Sequence, residues 1–107
     1  PMQRVLVPTG LAIELPGAHS VALVYARSGL SLKHGLCMAN GVGVIDSDYR
    51  GELKVGLVNH GDVPYTIQPG ERVAQLCIAP VYTAAFVPVQ ELGDTTRGAG
   101  GFGSTGK

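Results

Sequence analysis

The stretch NGVGVIDSDYRGELKVGLVN, residues 40–59, sets two apolar runs around a polar hexapeptide, Asp46-Ser47-Asp48-Tyr49-Arg50-Gly51. Leu53, Val55 and Leu57 alternate with Lys54 and Gly56, the period of a strand with one buried face. The pattern predicts a β-hairpin with an acidic, aromatic tip. Asp46 ends an apolar run and is expected to be half-buried, where a carboxylate can serve as a base. Asp48 falls in the turn proper and is read as bonding its own backbone. Tyr49 offers a flat face beside hairpin amides and carbonyls, which can read a planar base as a neighbouring strand would.

The same alternation of short apolar runs and turn residues extends in both directions. RVLVPTG, LAIELPG, SVALVYA, YTIQPG, RVAQLCIAPV and AAFVPVQ join the two runs above to give about eight expected strands, an all-β sandwich or barrel. Pro8-Thr9-Gly10, Pro16-Gly17, Asn59-His60-Gly61-Asp62 and Pro69-Gly70 mark the breaks. A short helix is expected only around residues 28–33. The β domain is placed at residues 1–93, followed by a flexible glycine-rich arm over 94–107.

The 107 residues suffice for one domain. Eight basic and eight acidic side chains give no field that favours nucleic acid or an anionic membrane. No apolar run approaches the ~20 residues of a membrane helix. Cys37 and Cys77, without secretory context, are read as reduced thiols of a cytoplasmic protein. In SVALVYA, Val21, Leu23 and Tyr25 lie on one side and Ala22 and Val24 on the other. A strand that is apolar on both faces requires a second cover, and an oligomer interface is the simplest.

Three further stretches carry chemistry. Arg27-Ser28-Gly29 combines a fork of donors with a hydroxyl and free amides at a helix start, a set that suits an anion. Gln75 is the polar residue of RVAQLCIAPV, either facing solvent or aimed at phosphate or a bound water. The terminus RGAGGFGSTGK, residues 97–107, opens like a phosphate-binding loop at Gly101-x4-Gly106-Lys107. No helix follows to present its amides, so that reading fails. A glycine-rich arm can still wrap a polyphosphate with its amides and hydroxyls. His34-x2-Cys37 has zinc-like spacing but no second pair.

Taken in order, ARSGLSLKHG, GVIDSDYRGELKVG, PGERVAQL and RGAGGFGSTG resemble the second to fifth motifs of the trimeric deoxyuridine triphosphatase (dUTP diphosphatase) family. VPTGLAIELP fits the strand before them, and the resemblance runs from Val5 to Gly106. It implies a jelly-roll-like β fold, a homotrimer, and exchange of the C-terminal arm between subunits. It implies hydrolysis of dUTP to dUMP and pyrophosphate by water attack on the α-phosphorus, which limits uracil incorporation into DNA. By likeness, Arg27, Ser28, Gly29 and Gln75 contact the phosphates. Asn40, with the backbone around Gly43, Val44, Ile45 and Lys54, holds uracil and deoxyribose. Asp46 orients or deprotonates the attacking water, and Tyr49 stacks under deoxyribose and excludes a 2′-hydroxyl. Arg97, Phe102, Gly103, Ser104 and Thr105 form the closing arm, with Phe102 over uracil. Mg²⁺ is implied, held mainly by phosphate oxygens and waters rather than by the protein directly.

Two qualifications attach to the likeness. The sister dCTP deaminase branch uses a glutamate where this chain has Asp46, which disfavours cytosine. The family's first motif, a small-Gly-x-Asp-Leu stretch upstream of Val5, is absent from this sequence. Its Asp helps to place the metal's waters. The alternative reading is therefore a non-catalytic dUTP-binding or interaction module on the same fold.

Overall fold

The structure is a computed structural model that describes residues 1–106; Lys107, the last residue of the loop-like terminus, lies outside them. Its elements are β1 (Arg4–Pro8), β2 (Ser20–Ala26), α1 (Ser28–His34), β3 (Leu36–Met38), β4 (Gly43–Ile45), β5 (Lys54–Asn59) and β6 (Ala74–Pro80). The strands form two antiparallel sheets, ordered β1-β5-β3 and β4-β2-β6. The all-β class expected from the sequence holds, with one short helix.

The core lies between the sheets. Val24 from β2, Met38 from β3 and Val55 and Leu57 from β5 form one buried cluster, against which Val7, Ile45, Ile67 and Val73 pack. Leu57 is 1% exposed and Ala22 is fully buried. The alternation read in residues 53–57 is realised: Val55 and Leu57 point inward, Lys54 is exposed, and Leu53 is half-buried.

The expected hairpin is not formed. β4 pairs with β2, at Leu23↔Val44, whereas β5 pairs with β1 and β3 in the other sheet. β5 is the centre of its sheet, so both of its edges are taken and β4 has no free edge there. The tip, residues 46–53, is instead an arch that crosses from one sheet to the other. Asp46 is exposed rather than half-buried.

Of about eight expected strands, six form, and one of those was not expected: β3 is a three-residue piece directly after the helix. LAIELPG, YTIQPG and AAFVPVQ contribute no ladder among the described residues. Each contains or adjoins proline, which withholds the amide a ladder needs. Leu15 is nonetheless buried, and Ile67 packs on the core.

The helix is one residue longer than expected and ends for a clear reason. Gly35 takes a left-handed φ of 72°, and its amide caps the Leu30 and Ser31 carbonyls. A Cβ at Gly35 would also sit 2.8 Å from the Gly61 Cα, so the close approach of the 60–61 turn requires glycine as well. The Gly35 carbonyl accepts from the His60 amide at 2.8 Å, and this pins the end of the helix.

Two apolar surfaces lack cover within the chain. On the outer side of β4-β2-β6, Val21 and Leu23 are half-buried, while Tyr25, Val44 and Cys77 are exposed. Beyond β6 the described residues form no regular element, and Tyr82 and Phe86 are 98% and 95% exposed. The radius of gyration is 18.9 Å. A compact domain of this size has about 13 Å, so the C-terminal segment projects from the domain.

Candidate functional site

The arch between the sheets encloses a cleft of about 340 Å³. Its lining brings together Asn40, Gly43, Val44, Ile45, Asp46, Tyr49 and Lys54, the residues the resemblance assigns to base, sugar and water apart from Phe102, which lies outside it. The side chains of Val24 and Met38 line the cleft as well as the core, so packing of the core sets its back wall.

The arch is tied down at several points. The Tyr49 amide donates to the Asp46 carbonyl at 3.1 Å, closing the turn. The Tyr49 hydroxyl donates to the Glu52 carbonyl at 3.0 Å. Arg50 Nη1 donates to the Ser47 carbonyl at 2.9 Å, and its Nη2 lies 3.6 Å from Glu14 Oε1. Both partners of that ion pair are well exposed, so it contributes at most about 1 kcal/mol. The Glu52 carboxylate accepts from the Gly10 amide at 3.0 Å. Leu53 exchanges backbone bonds with Thr9 and Leu11 at 3.1 and 2.7 Å.

A second cluster lies where β2 runs into α1 beside the start of β6. Arg27 Nη1 donates to the Arg72 carbonyl at 2.7 Å, and Gln75 Nε2 donates to the Ala26 carbonyl at 2.9 Å. The register Tyr25↔Gln75 and Ala26↔Ala74 enforces this proximity. Arg27, Ser28, Gly29 and Gln75 are thus neighbours, although none of them lines the 340 Å³ cleft. The first amides of α1 have no partner within the helix by geometry, and Arg27 makes no side-chain cap.

The third group, Arg97, Phe102, Gly103, Ser104 and Thr105, is joined to neither cluster in the chain. The bonds of residues 95–106 are local: Arg97 Nε donates to the Gly100 carbonyl at 2.6 Å, and the Ser104 and Gly106 amides donate three residues back. Phe102 is fully exposed.

Sequence reading missed a clamp on the far end of the helix. The His34 ring lies 4.7 Å from that of Tyr65, tilted by 53°. The Tyr65 hydroxyl donates to Glu71 Oε1, and Glu71 Oε2 accepts from the Gln68 amide at 2.9 Å. The bond from Tyr65 and the Gln68 amide hold the Glu71 carboxyl below its ordinary range. The same bond to Glu71 raises the Tyr65 phenol. The clamp packs against the C-terminal end of α1 through His34. No local pattern marks it, because loop residues six apart carry no period.

Other side chains play smaller parts. His34 is exposed, with its ring tilted against that of Tyr65. Cys37 is half-buried with its sulfur 3.3 Å from Ser31 Oγ, and Cys77 is exposed; both are free thiols.

Comparison with known proteins assigns the fold. The dUTPase family matches residues 1–106. A deoxyuridine 5′-triphosphate nucleotidohydrolase of Desulfitobacterium hafniense (strain DSM 10664 / DCB-2) is 56% identical over 106 residues, 99% of this chain and 70% of the relative. The chain belongs to the dUTPase family. Among solved dUTPases, that of Staphylococcus bacteriophage 80alpha with dUPNHPP superposes with a TM-score of 0.84 at 28% identity. That match covers all of this chain and 78% of the phage protein. A mutant dUTPase from phage phi11 of S. aureus, described as coordinating a structural Mg(II) ion, gives 0.74 at 25% identity over 88% of this chain and 76% of its own.

A larger groove of this chain lies apart from the candidate site. It measures about 960 Å³ between β1 and residues 64–73, is open, and contains none of the residues the family resemblance selects. As for a metal, no group of three or more His, Cys, Asp or Glu side chains converges among the described residues. Among the same residues, no helix is long and apolar enough to cross a membrane.

Proposed function

We propose that this chain is a dUTP diphosphatase, with deoxyuridine in the arch cleft and the triphosphate running toward the Arg27 cluster. The observation that carries the reading is the gathering of Asn40, Gly43, Val44, Ile45, Asp46, Tyr49 and Lys54 around one 340 Å³ space. A pocket of that volume suits a nucleoside, at the small end of the usual ~300–1,000 Å³ for ligand sites. Backbone groups of β4 and the Asn40 amide supply donors and acceptors for a planar pyrimidine.

The reaction is in-line displacement at the α-phosphorus. A water oxygen forms the new bond to phosphorus, the bond to the β-phosphate oxygen breaks, and pyrophosphate leaves with the electron pair. Asp46 orients that water and accepts its proton. Arg27, Ser28, Gly29 and Gln75 bind the phosphates. Tyr49 packs under the deoxyribose, and Lys54 closes the side of the cleft. Magnesium, when bound, neutralises phosphate charge and is held chiefly by the triphosphate and its own waters.

We also propose a homotrimer in which the arm of one subunit closes over the cleft of another. Two observations support this: the uncovered apolar face of Val21, Leu23, Tyr25 and Val44, and an arm whose bonds are local while Phe86 and Phe102 stand free. Arg97, Phe102, Gly103, Ser104 and Thr105 are the residues that reach the substrate, and residues 94–107 are the closing element. Glycines let the arm approach phosphate closely. Ordering it costs about 1–2 kcal/mol per residue, so closure favours a ligand with many acceptors. A triphosphate meets that need better than a monophosphate, and this aids product release.

Pyrophosphate release from dUTP with Mg²⁺, set beside UTP and dCTP, tests the reading. Release from dUTP alone is expected. Tight dUTP binding without pyrophosphate would replace it with a non-catalytic binding module.

A further inference from the structure

The pocket reading assigns Tyr49 to the sugar; the structure also accounts for how that ring is held. Tyr49 folds back on its own turn. Its amide is fixed to the Asp46 carbonyl at 3.1 Å and its hydroxyl to the Glu52 carbonyl at 3.0 Å, so the ring folds back over Gly51, the second of the two residues between. A Cβ at Gly51 would lie 2.6 Å from Tyr49 Cζ and 3.1 Å from Cε2, and would collide with the hydroxyl oxygen. Gly51 does not adopt a left-handed φ. The backbone therefore does not require glycine there, but the ring does.

The acceptor that holds the ring is itself immobilised. The Glu52 carboxylate takes the Gly10 amide at 3.0 Å, and the adjoining Leu53 amide donates to the Leu11 carbonyl at 2.7 Å. The Thr9 hydroxyl donates to the Leu53 carbonyl at 2.7 Å. Segment 9–11 thus sets where the tyrosine hydroxyl must end.

We propose that Gly51 is a specificity-determining position. Its bare α-carbon lets the Tyr49 ring lie across the turn, tethered to the Glu52 carbonyl, at the depth that admits deoxyribose and rejects a 2′-hydroxyl. The claim rests on the dUTP reading and deepens it. An added methyl meets the far end of a half-exposed side chain, so the ring moves and the backbone stays.

Gly51→Ala, Tyr49→Ala and the double variant, in the full chain, test this by pyrophosphate release from dUTP and UTP. Calorimetric binding of dUMP against UMP reads the same selectivity without turnover. Steric exclusion of one hydroxyl gives selectivity on the order of 10²-fold, and Gly51→Ala should remove about tenfold of it. Its melting temperature should stay within about 4 °C of the parent. In the Tyr49→Ala background the alanine at 51 should change selectivity by less than about twofold, since no ring remains to displace. Tyr49→Phe, which keeps the ring but not its tether, should lose less selectivity than Gly51→Ala. The proposal is overturned if Gly51→Ala folds and retains its selectivity, or if its loss persists without Tyr49. Failure of Gly51→Ala to fold overturns it too, because the backbone rather than the ring would then need glycine. A parent chain that neither binds nor hydrolyses dUTP would instead refute the underlying site assignment.

Discussion

Replacing Arg27 with lysine separates charge from geometry at the proposed phosphate cluster. Arg27 Nη1 is committed to the Arg72 carbonyl at 2.7 Å, which leaves Nη2 and Nε of the fork for an anion. Lysine carries the same charge on a single point, so it can serve the carbonyl or the phosphate but not both in a fixed plane. Arg27→Lys should therefore remove about one charge-assisted hydrogen bond, on the order of 1.5–3 kcal/mol. At ~1.4 kcal/mol per factor of ten, that is a loss of roughly 10- to 150-fold in kcat/KM for dUTP. The assay is pyrophosphate release, with calorimetry of dUTP and of deoxyuridine alongside. Deoxyuridine carries no phosphate, and its affinity should not change. Equal losses for both ligands, or an unaltered kcat/KM, would show that Arg27 is not a phosphate ligand and that its bond to Arg72 is its whole role.

Asp46→Asn should leave dUTP binding nearly intact and lower turnover by ~10²-fold or more; normal turnover would remove Asp46 from the role of base. Leu57→Ala, at the most buried large side chain, should destabilise by about 2–5 kcal/mol, visible as a fall in melting temperature of about 8 °C or more at roughly 4–8 °C per kcal/mol. A shift of a few degrees would place the core elsewhere. Tyr65→Phe should let the Glu71 carboxyl rise toward its ordinary pKa, as read by carboxyl NMR. Because Glu71 is depressed in the folded protein, its contribution is present above the ordinary glutamate pKa and fades as pH falls through the folded value. The stability gap between parent and Tyr65→Phe should accordingly narrow in acid. It should narrow in strong base as well, once pH passes the raised Tyr65 value and the hydroxyl loses its proton. A gap constant across pH would contradict the Tyr65–Glu71 bond.

What the sequence made legible was local. Leu53, Val55 and Leu57 disclosed a strand with one buried face, and Gly35 lies just past the short helix that the residues around Ser28 suggested. Partner choice was not legible. Two period-two runs around a turn fit a hairpin and an arch equally well, since the period states that a face is buried but not which strand lies alongside. That was decided by β1 and β3, distant in sequence, which occupy both edges of β5. β3 was hidden by its brevity. The segments LAIELPG and AAFVPVQ read as strands because their side chains are apolar, yet a ladder also needs a partner with free amides. The residues proposed to form the site in the arch lie in one contiguous stretch, and their gathering around one cleft could be anticipated from it. The roles of Gly51, Glu52 and the Tyr65–Glu71 clamp were not legible, because their importance lies in contacts that only the folded turn creates.

The central claim is that the acid and the closing arm around one nucleotide come from different copies of the chain. Mixing two disabled chains tests it directly. One carries Asp46→Asn with an intact arm, and the other retains Asp46 but ends before Arg97. Each alone should release almost no pyrophosphate from dUTP. After co-refolding, mixed assemblies should recover activity, because a sound cleft can then be covered by a sound arm. Mixed assemblies of confirmed composition that stay inactive would contradict the account.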